Sequence, residues 1–327
     1  MTLRTAVIGV GHLGQQHARI HAALAEEGLA QFTSVCDIDA DRVHTVAREW
    51  HADPTADWRT LIGEVDAVSV AVPTESHCEI ACGLLEAGIH VLVEKPISLT
   101  LAEADRMITA GKKGNAILQV GHAERFNPAM VALRPHVRNP VYFEIHRIGQ
   151  FTARSLDIDV VLDLMIHDLD IVQWLVGQDV EVTSLHAVGI PILTNRVDAA
   201  NARLEFATDA VANITASRVG TEKIRKMRFF QPRDYIAVDY TTNHASISNL
   251  SPALSSWPGV NTKILEVENV EPLRAEIESF FKAAATGSRP LVSGEDGRRA
   301  LALALRTLDQ IHAHTAKSGV TAFLQNA

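Results

Sequence analysis

The sequence predicts an α/β protein: a doubly wound parallel sheet at the amino end, then a second α/β domain on a mostly antiparallel sheet. Three observations carry this. Over the first 120 residues, short apolar runs alternate with segments of helical periodicity, the pattern of a parallel sheet covered by helices on both faces. After Gly121 the rhythm changes to strand-like segments with polar turns. The length of 327 residues also exceeds what one hydrophobic core usually supports.

In chain order, Thr5–Val10, Phe32–Asp37, Ala67–Val72, Ile89–Val93 and Ala116–Val120 read as strands. Ala67–Val72 is almost continuously apolar, as a strand buried on both faces should be. The intervening helices are expected at Leu13–Ala25, Ala40–Trp50, Glu79–Ala87 and Leu101–Lys113, with Gly88 placed to stop the third. Beyond Gly121, Val141–Gly149 and Phe151 look strand-like, and a long apolar helix runs from about Asp159 to Val176. Glu181 to Ile247 reads mostly as strands, and Pro272–Thr286 and Gly297–His314 as helices. The expected domains are residues 1–121 and 122–327.

Composition excludes several classes of function. A formal charge of −9 opposes general nucleic-acid binding, which needs a basic surface to displace counterions. No apolar run approaches the ~20 residues of a membrane helix. Thr5–Val10 already reads as structure, leaving no room for a signal peptide. Cys36, Cys78 and Cys82 form no disulfide framework, and no metal site is expected: Cys78 and Cys82 lack a second ligand pair, and His17 with His21 lack a third ligand. A cytoplasmic protein with reduced thiols is the expectation.

Gly9-Val10-Gly11-His12-Leu13-Gly14 is a G-x-G-x-x-G motif placed after a strand and opening a helix, the context that gives it meaning. Gly9 permits the tight turn, Gly11 lets the backbone approach a pyrophosphate, and Gly14 lets helix and sheet pack closely. Asp37 ends the second strand, 23 residues after Gly14, where a carboxylate accepts hydrogen bonds from ribose hydroxyls and repels a 2′-phosphate. The expected cofactor is therefore NAD, with Arg42 near enough to soften the preference. Pro73, Thr74 and His77 follow a buried strand at the carboxyl edge of the sheet, beside the cofactor; Thr74 would equally serve as a helix cap.

Glu94-Lys95-Pro96 ends another buried strand, and the proline biases Lys95 toward an extended presentation. Near a cationic nicotinamide its ammonium should lose protons more easily. In the apolar helix, Asp163, His167, Asp170 and Trp174 recur at spacings of four, three and four, which places them on one face. His167 suits proton removal near neutrality and Asp163 could orient it; a self-satisfied Asp–His pair is the other reading. Glu124, Arg125 and Asn127 lie in a loop after the last parallel strand. Arg218, Lys223, Arg225, Lys226 and Arg228 form a basic stretch that could clamp a diphosphate or simply face solvent.

Together these motifs resemble the glucose-fructose oxidoreductase / inositol dehydrogenase / MocA family. The resemblance covers essentially the whole chain, through Gly9–Gly14, Glu94-Lys95-Pro96, Asp163-x-x-x-His167 and Val292-Ser-Gly-Glu-Asp-Gly297. It implies a Rossmann domain and a C-terminal α/β domain around an open, mostly antiparallel sheet that supports a homodimer or homotetramer. It implies too that Lys95 and His167 flank a substrate beside the nicotinamide. Gly121-His122-Ala-Glu-Arg-Phe-Asn-Pro128, Leu162-Asp-Leu-Met-Ile-His-Asp168 and Phe229-Phe-Gln-Pro-Arg-Asp-Tyr235 are similar to the branch that oxidises the 3-hydroxyl of UDP-N-acetylglucosamine, en route to the 3-amino sugar of some lipid A molecules. Met165 stands where the family often has glycine, and its bulk is expected to reshape the pocket. The resemblance implies an NAD-dependent dehydrogenase of a nucleotide sugar, with Lys95, Asp163 and His167 catalytic and Glu124, Arg125, Asn127 and Arg228 gripping substrate. Inositol, a free aldose or a UDP-sugar acid are alternative substrates, and a non-enzymatic NAD sensor is the reading from another class.

Overall fold

In a computed structural model of the chain, residues 2–151, 158–251 and 259–318 are described. The expected α/β class is adopted, in two compact units. The first holds the residues up to Phe126 together with Glu271–Leu301; the second begins at Asn127, runs to Val270 and resumes at Ala302.

The chain opens with β1 (Arg4–Ile8), α1 (His12–Glu26), β2 (Gln31–Cys36), α2 (Ala40–Trp50) and β3 (Asp53–Thr55). It continues through β4 (Ala67–Val70), α3 (His77–Glu86), β5 (His90–Glu94), α4 (Leu101–Gly114) and β6 (Leu118–Gly121). The six strands are parallel, in the order β3-β2-β1-β4-β5-β6, which puts the switch point between β1 and β4, where such sheets bind ligands. β3 escapes a reading of the sequence because it is three residues long and contains Pro54; proline is tolerated there because the strand lies at the sheet edge. Thr100 and Glu103 cap α4 reciprocally, and Asn115 ends it in the left-handed conformation.

The second unit starts with α5 (Pro128–Leu133), capped by the Asn127 side chain, and β7 (Tyr142–Gln150). The single helix expected from Asp159 to Val176 is two pieces: a π-helical turn over Val161–Met165 and then α6 (Ile166–Val176). Seven strands follow: β8 (Val182–Ile190), β9 (Ala199–Phe206), β10 (Val211–Gly220), β11 (Ile224–Gln231), β12 (Asp234–Asp239), β13 (His244–Ser251) and β14 (Gly259–Ile264). With β7 they make an eight-stranded sheet, β14-β13-β12-β11-β7-β10-β9-β8, antiparallel except for the parallel pair of β7 and β10. β14 extends the sheet beyond the Ile247 limit expected from the sequence.

α7 (Pro272–Thr286) and α8 (Gly294–Ser318) end the described chain. A boundary at 121/122 assigns both to the second domain; the contacts assign α7 and the start of α8 to the first unit. Apolar packing is the reason. Ile277, Phe280 and Phe281 of α7 share one buried cluster with Ile20 and Leu24 of α1 and Leu92 of β5, and Val120 N–H donates to the Val292 carbonyl (3.0 Å).

Candidate active site

Where β1 meets α1, the glycine loop has the geometry its spacing implies. Gly9 has φ of 82°, a backbone shape that side chains disfavour. A Cβ on Gly14 would lie 1.7 Å from the Gly9 carbonyl oxygen, so only glycine lets α1 start there. At Gly11 a Cβ would meet nothing closer than the Arg42 Nη1, at 3.7 Å, and no side chain caps the helix it precedes. Backbone and amide groups at this helix start are thus open to an anion.

A cavity of about 620 Å³ lies at the carboxyl ends of β1, β2, β4 and β5, within the range of small-ligand sites. The residues expected around a cofactor all line it except His12, exposed on α1, and Gly14, buried behind the loop. Asp37 is held in place by the glycine loop: one carboxylate oxygen accepts from Val10 N–H (2.8 Å) and the other from Asp39 N–H (2.9 Å). The Arg42 guanidinium is engaged by Asp39 at 2.7 Å and by Asp37 at 3.6 Å. That leaves a carboxylate-dominated pocket, hostile to a 2′-phosphate. The loop, the helix start and the fixed carboxylate fit a dinucleotide. Asp37→Asn is expected to weaken NAD binding about tenfold or more, since hydrogen bonds to charged groups contribute ~1.5–3 kcal/mol; titration calorimetry measures it.

His77 is buried, with Nε2 3.0 Å from the Val72 carbonyl oxygen and Nδ1 3.1 Å from that of Pro96. It ties the loop after β4 to the Glu94-Lys95-Pro96 turn, and burial pushes its pKa down. Lys95 is half-buried at the cavity, its N–H donating to the Glu94 Oε2 (3.2 Å). The Lys95–Pro96 peptide is cis. Glu94 turns away from solvent and pairs with His17 (Oε1–Nε2 2.9 Å). His21 bonds Thr5 and Ser69, so His17 and His21 both serve the packing of α1, as read from the sequence.

In the second unit, Asp163 sits inside the π-helical turn and His167 is the second residue of α6; both side chains are half-buried. Such π turns occur frequently at functional sites. The segment is anchored at its start by Asp159, whose carboxylate accepts from Val197 N–H (2.8 Å). It is anchored again next to His167, where Asp168 takes two hydrogen bonds from Arg147 of β7 (both 2.8 Å) with both side chains almost fully buried. Met165 is fully buried.

The remaining expected substrate residues separate. Arg125 is 1% exposed, donates to the Leu291 carbonyl (3.2 Å) and lies 3.7 Å from Asp296. Its charge therefore fastens the C-terminal segment to the first unit in place of a diphosphate. Asn127 caps α5 and donates to Asn243 (3.3 Å). The basic stretch also divides: Arg218 is buried against Asp198 (3.2 Å) and the Val197 and Ile158 carbonyls, Lys226 pairs with Asp239 (3.5 Å), and Arg228 is exposed opposite Glu144 on the neighbouring strand. Glu124 is half-buried in a 3₁₀ turn. Arg147 and Asp168 were not expected; an acid directly after His167, and an arginine among the inward positions of β7, were the available signals. Among the described residues, no group of three or more His, Cys, Asp or Glu side chains could hold a metal ion, and no helix is long and apolar enough to cross a membrane.

Comparison with known proteins covers both units of the chain. Residues 3–122 match the model of an oxidoreductase family with an NAD-binding Rossmann fold (GFO/IDH/MocA), and residues 101–231 match the GFO/IDH/MocA C-terminal domain. The chain is 39% identical over 327 residues to the UDP-N-acetylglucosamine 3-dehydrogenase of Acidithiobacillus ferrooxidans, covering 99% of each. The chain belongs to the Gfo/Idh/MocA family. A Gfo/Idh/MocA relative from Thermotoga maritima, a myo-inositol 2-dehydrogenase, is 28% identical and covers 92% of this chain and 94% of its own. The solved structure of the Acidithiobacillus enzyme superposes with a TM-score of 0.89, at 38% identity, over 96% of this chain and 98% of that one. A levoglucosan dehydrogenase solved with NADH and levoglucosan shares the fold at 20% identity, with a TM-score of 0.85 over 96% and 98% of the two chains. As a Gfo/Idh/MocA oxidoreductase the chain is an enzyme, and NAD is its cofactor.

Proposed function

We propose that this enzyme oxidises a sugar hydroxyl, specifically the 3-hydroxyl of UDP-N-acetylglucosamine, to the ketone. The identity of 39% across 99% of both chains to an enzyme of that name is the observation that carries this reading. When bound, NAD supplies the hydride acceptor. Asp37 accepts hydrogen bonds from the ribose hydroxyls, and the start of α1 balances the pyrophosphate charge. Lys95 hydrogen-bonds the reacting sugar oxygen and holds it in line. His167 removes the hydroxyl proton, and Asp163 fixes the imidazole orientation. Glu124 and Arg228 remain candidates for substrate contact.

The product, a 3-keto nucleotide sugar, would be consumed by a transaminase on a route to the 3-amino sugar of lipid A. We propose a cytoplasmic homodimer or homotetramer, which sedimentation would measure. NADH formation from UDP-N-acetylglucosamine, followed by absorbance, is the expected result. Turnover of myo-inositol without any from the nucleotide sugar would move the substrate to the class of the Thermotoga relative and leave the family intact.

A further inference from the structure

Below the cofactor cavity, one face of the parallel sheet carries a set of buried polar groups. Glu94 ends β5 and pairs in register with Gly121 of β6. A Cβ on Gly121 would lie 2.9 Å from the Glu94 Oε2, so the Glu94 side chain lies across the β6 backbone, on the face shared by Gln119 two residues earlier. α1 and α7 cover this face: Leu92, two residues before Glu94, packs with Ile20 and Leu24 of α1 and with Ile277 and Phe280 of α7. α1 contributes His17 to Glu94. α7 contributes Glu276, whose carbonyl oxygen accepts from the Gln119 Nε2 (3.1 Å).

Glu276 is the unusual member. It is 0% exposed, and both carboxyl oxygens are buried without a hydrogen-bond partner among the described residues, as are the Nδ1 of His17 and the Oε1 of Gln119. A buried carboxylate with no donor is too costly to keep ionised, so the group holds its proton instead. Burial, and then the charge of Glu94, push its pKa well above the ordinary value. Glu94 goes the other way. Burial opposes its charge, but the His17 hydrogen bond and charge, with Lys95, hold its carboxyl below the usual range. The titratable groups on the covering elements are His17 and His21 on α1, Glu94 with Lys95 after β5, His122 after β6, and Glu276 on α7.

We propose that Glu276 is a positioning residue: a neutral acid that fills the polar space on the sheet face it shares with Glu94 and Gln119, so that one negative charge fixes the pose of Lys95. This rests on the reading of Lys95 as the group that holds the reacting oxygen. Lys95, in turn, is fixed through its own N–H on Glu94.

The test compares Glu276→Gln, Glu276→Ala and Lys95→Met with wild type in the full-length enzyme. A carboxyl whose folded-state pKa is raised contributes stability that is complete below its unfolded value, near 4.5, and lost as pH rises through the folded value. Wild type should therefore lose stability relative to Glu276→Gln over that window, by up to about tenfold in the unfolding equilibrium constant per pH unit. A gap between the two melting temperatures that does not change with pH overturns the proposal. Glu276→Gln should restore the kcat that Glu276→Ala loses, on the order of tenfold for a mispositioned group, with KM for NAD little changed. An alanine variant with wild-type kcat and pH profile also overturns it. Should Glu276→Gln not fold, the infrared carbonyl band of a protonated carboxyl, sought in wild type at neutral pH, decides the same point: its absence overturns the proposal. Full turnover by Lys95→Met would sink the role given to Lys95, whereas the melting series reports on Glu276 alone.

Discussion

Replacing His167 with alanine is expected to lower kcat by about 100- to 10,000-fold, the contribution of a positioned general base. The loss should fall on kcat and kcat/KM together, because a group acting as the proposed base would be needed in the transition state and would add little to ground-state binding. NAD affinity should hold, since every residue lining the cofactor cavity belongs to the first unit. Stability should hold too, because the side chain is half-buried rather than part of the packed core. Steady-state NADH formation across pH, with calorimetric titration of NAD, measures all of this. A variant within threefold of wild type at every pH would remove His167 from the chemistry.

The next residue governs a different quantity. Arg147→Met is expected to destabilise the second unit by about 3–5 kcal/mol, the cost of leaving a buried carboxylate without its cation. Asp168 and Arg147 have side chains only 1% and 3% exposed, and their two hydrogen bonds are both 2.8 Å. Arg147 also lies over the Tyr240 ring at 5.5 Å, so methionine forfeits some stacking. At ~2–4 °C per kcal/mol for a unit of this size, the melting temperature should fall by about 10 °C. The double variant Arg147→Met, Asp168→Leu should recover most of the loss, since a buried ion pair replaced on both sides by apolar groups is close to neutral. A double variant as unstable as the single one would mean that packing, not the unpaired charge, sets the cost.

Much of the first unit was legible because local pattern and tertiary role coincide there. A strand buried on both faces must be apolar throughout, and a glycine triplet between strand and helix has few other uses, so Ala67–Val72 and Gly9–Gly14 announce themselves. Lys95 and Glu94 were legible as residues at a strand end, but the direction each takes was not: Lys95 lines the cavity, while Glu94 also turns to His17 across 77 positions of sequence. Basic residues were the least legible. Arg125 and Arg218 look from the sequence like anion clamps, but Arg125 is enclosed by the Asp296 carboxylate and the Leu291 carbonyl from far along the chain, and Arg218 by Asp198 with the Val197 and Ile158 carbonyls. The π turn before α6 was hidden for a related reason: one residue of extra winding leaves the apolar spacing almost unchanged. In α7, by contrast, an acid amid the apolar stripe of Leu273, Ile277, Phe280 and Phe281 was a visible anomaly.

The return of α7 to the first unit gives the protein a particular history during synthesis. A ribosome that has delivered residues 1–126 has supplied all six parallel strands, yet Ile20, Leu24 and Leu92 still lack the phenylalanines that cover them. Those arrive some 150 residues later, after the whole second sheet has emerged. The nucleotide-binding half must therefore wait, with an apolar face uncovered, while its neighbour folds, and such waiting surfaces recruit chaperones or aggregate. A gene cut at the apparent boundary would freeze the chain at that vulnerable stage, whereas one joining residues 1–126 to 271–301 through a short linker would complete it.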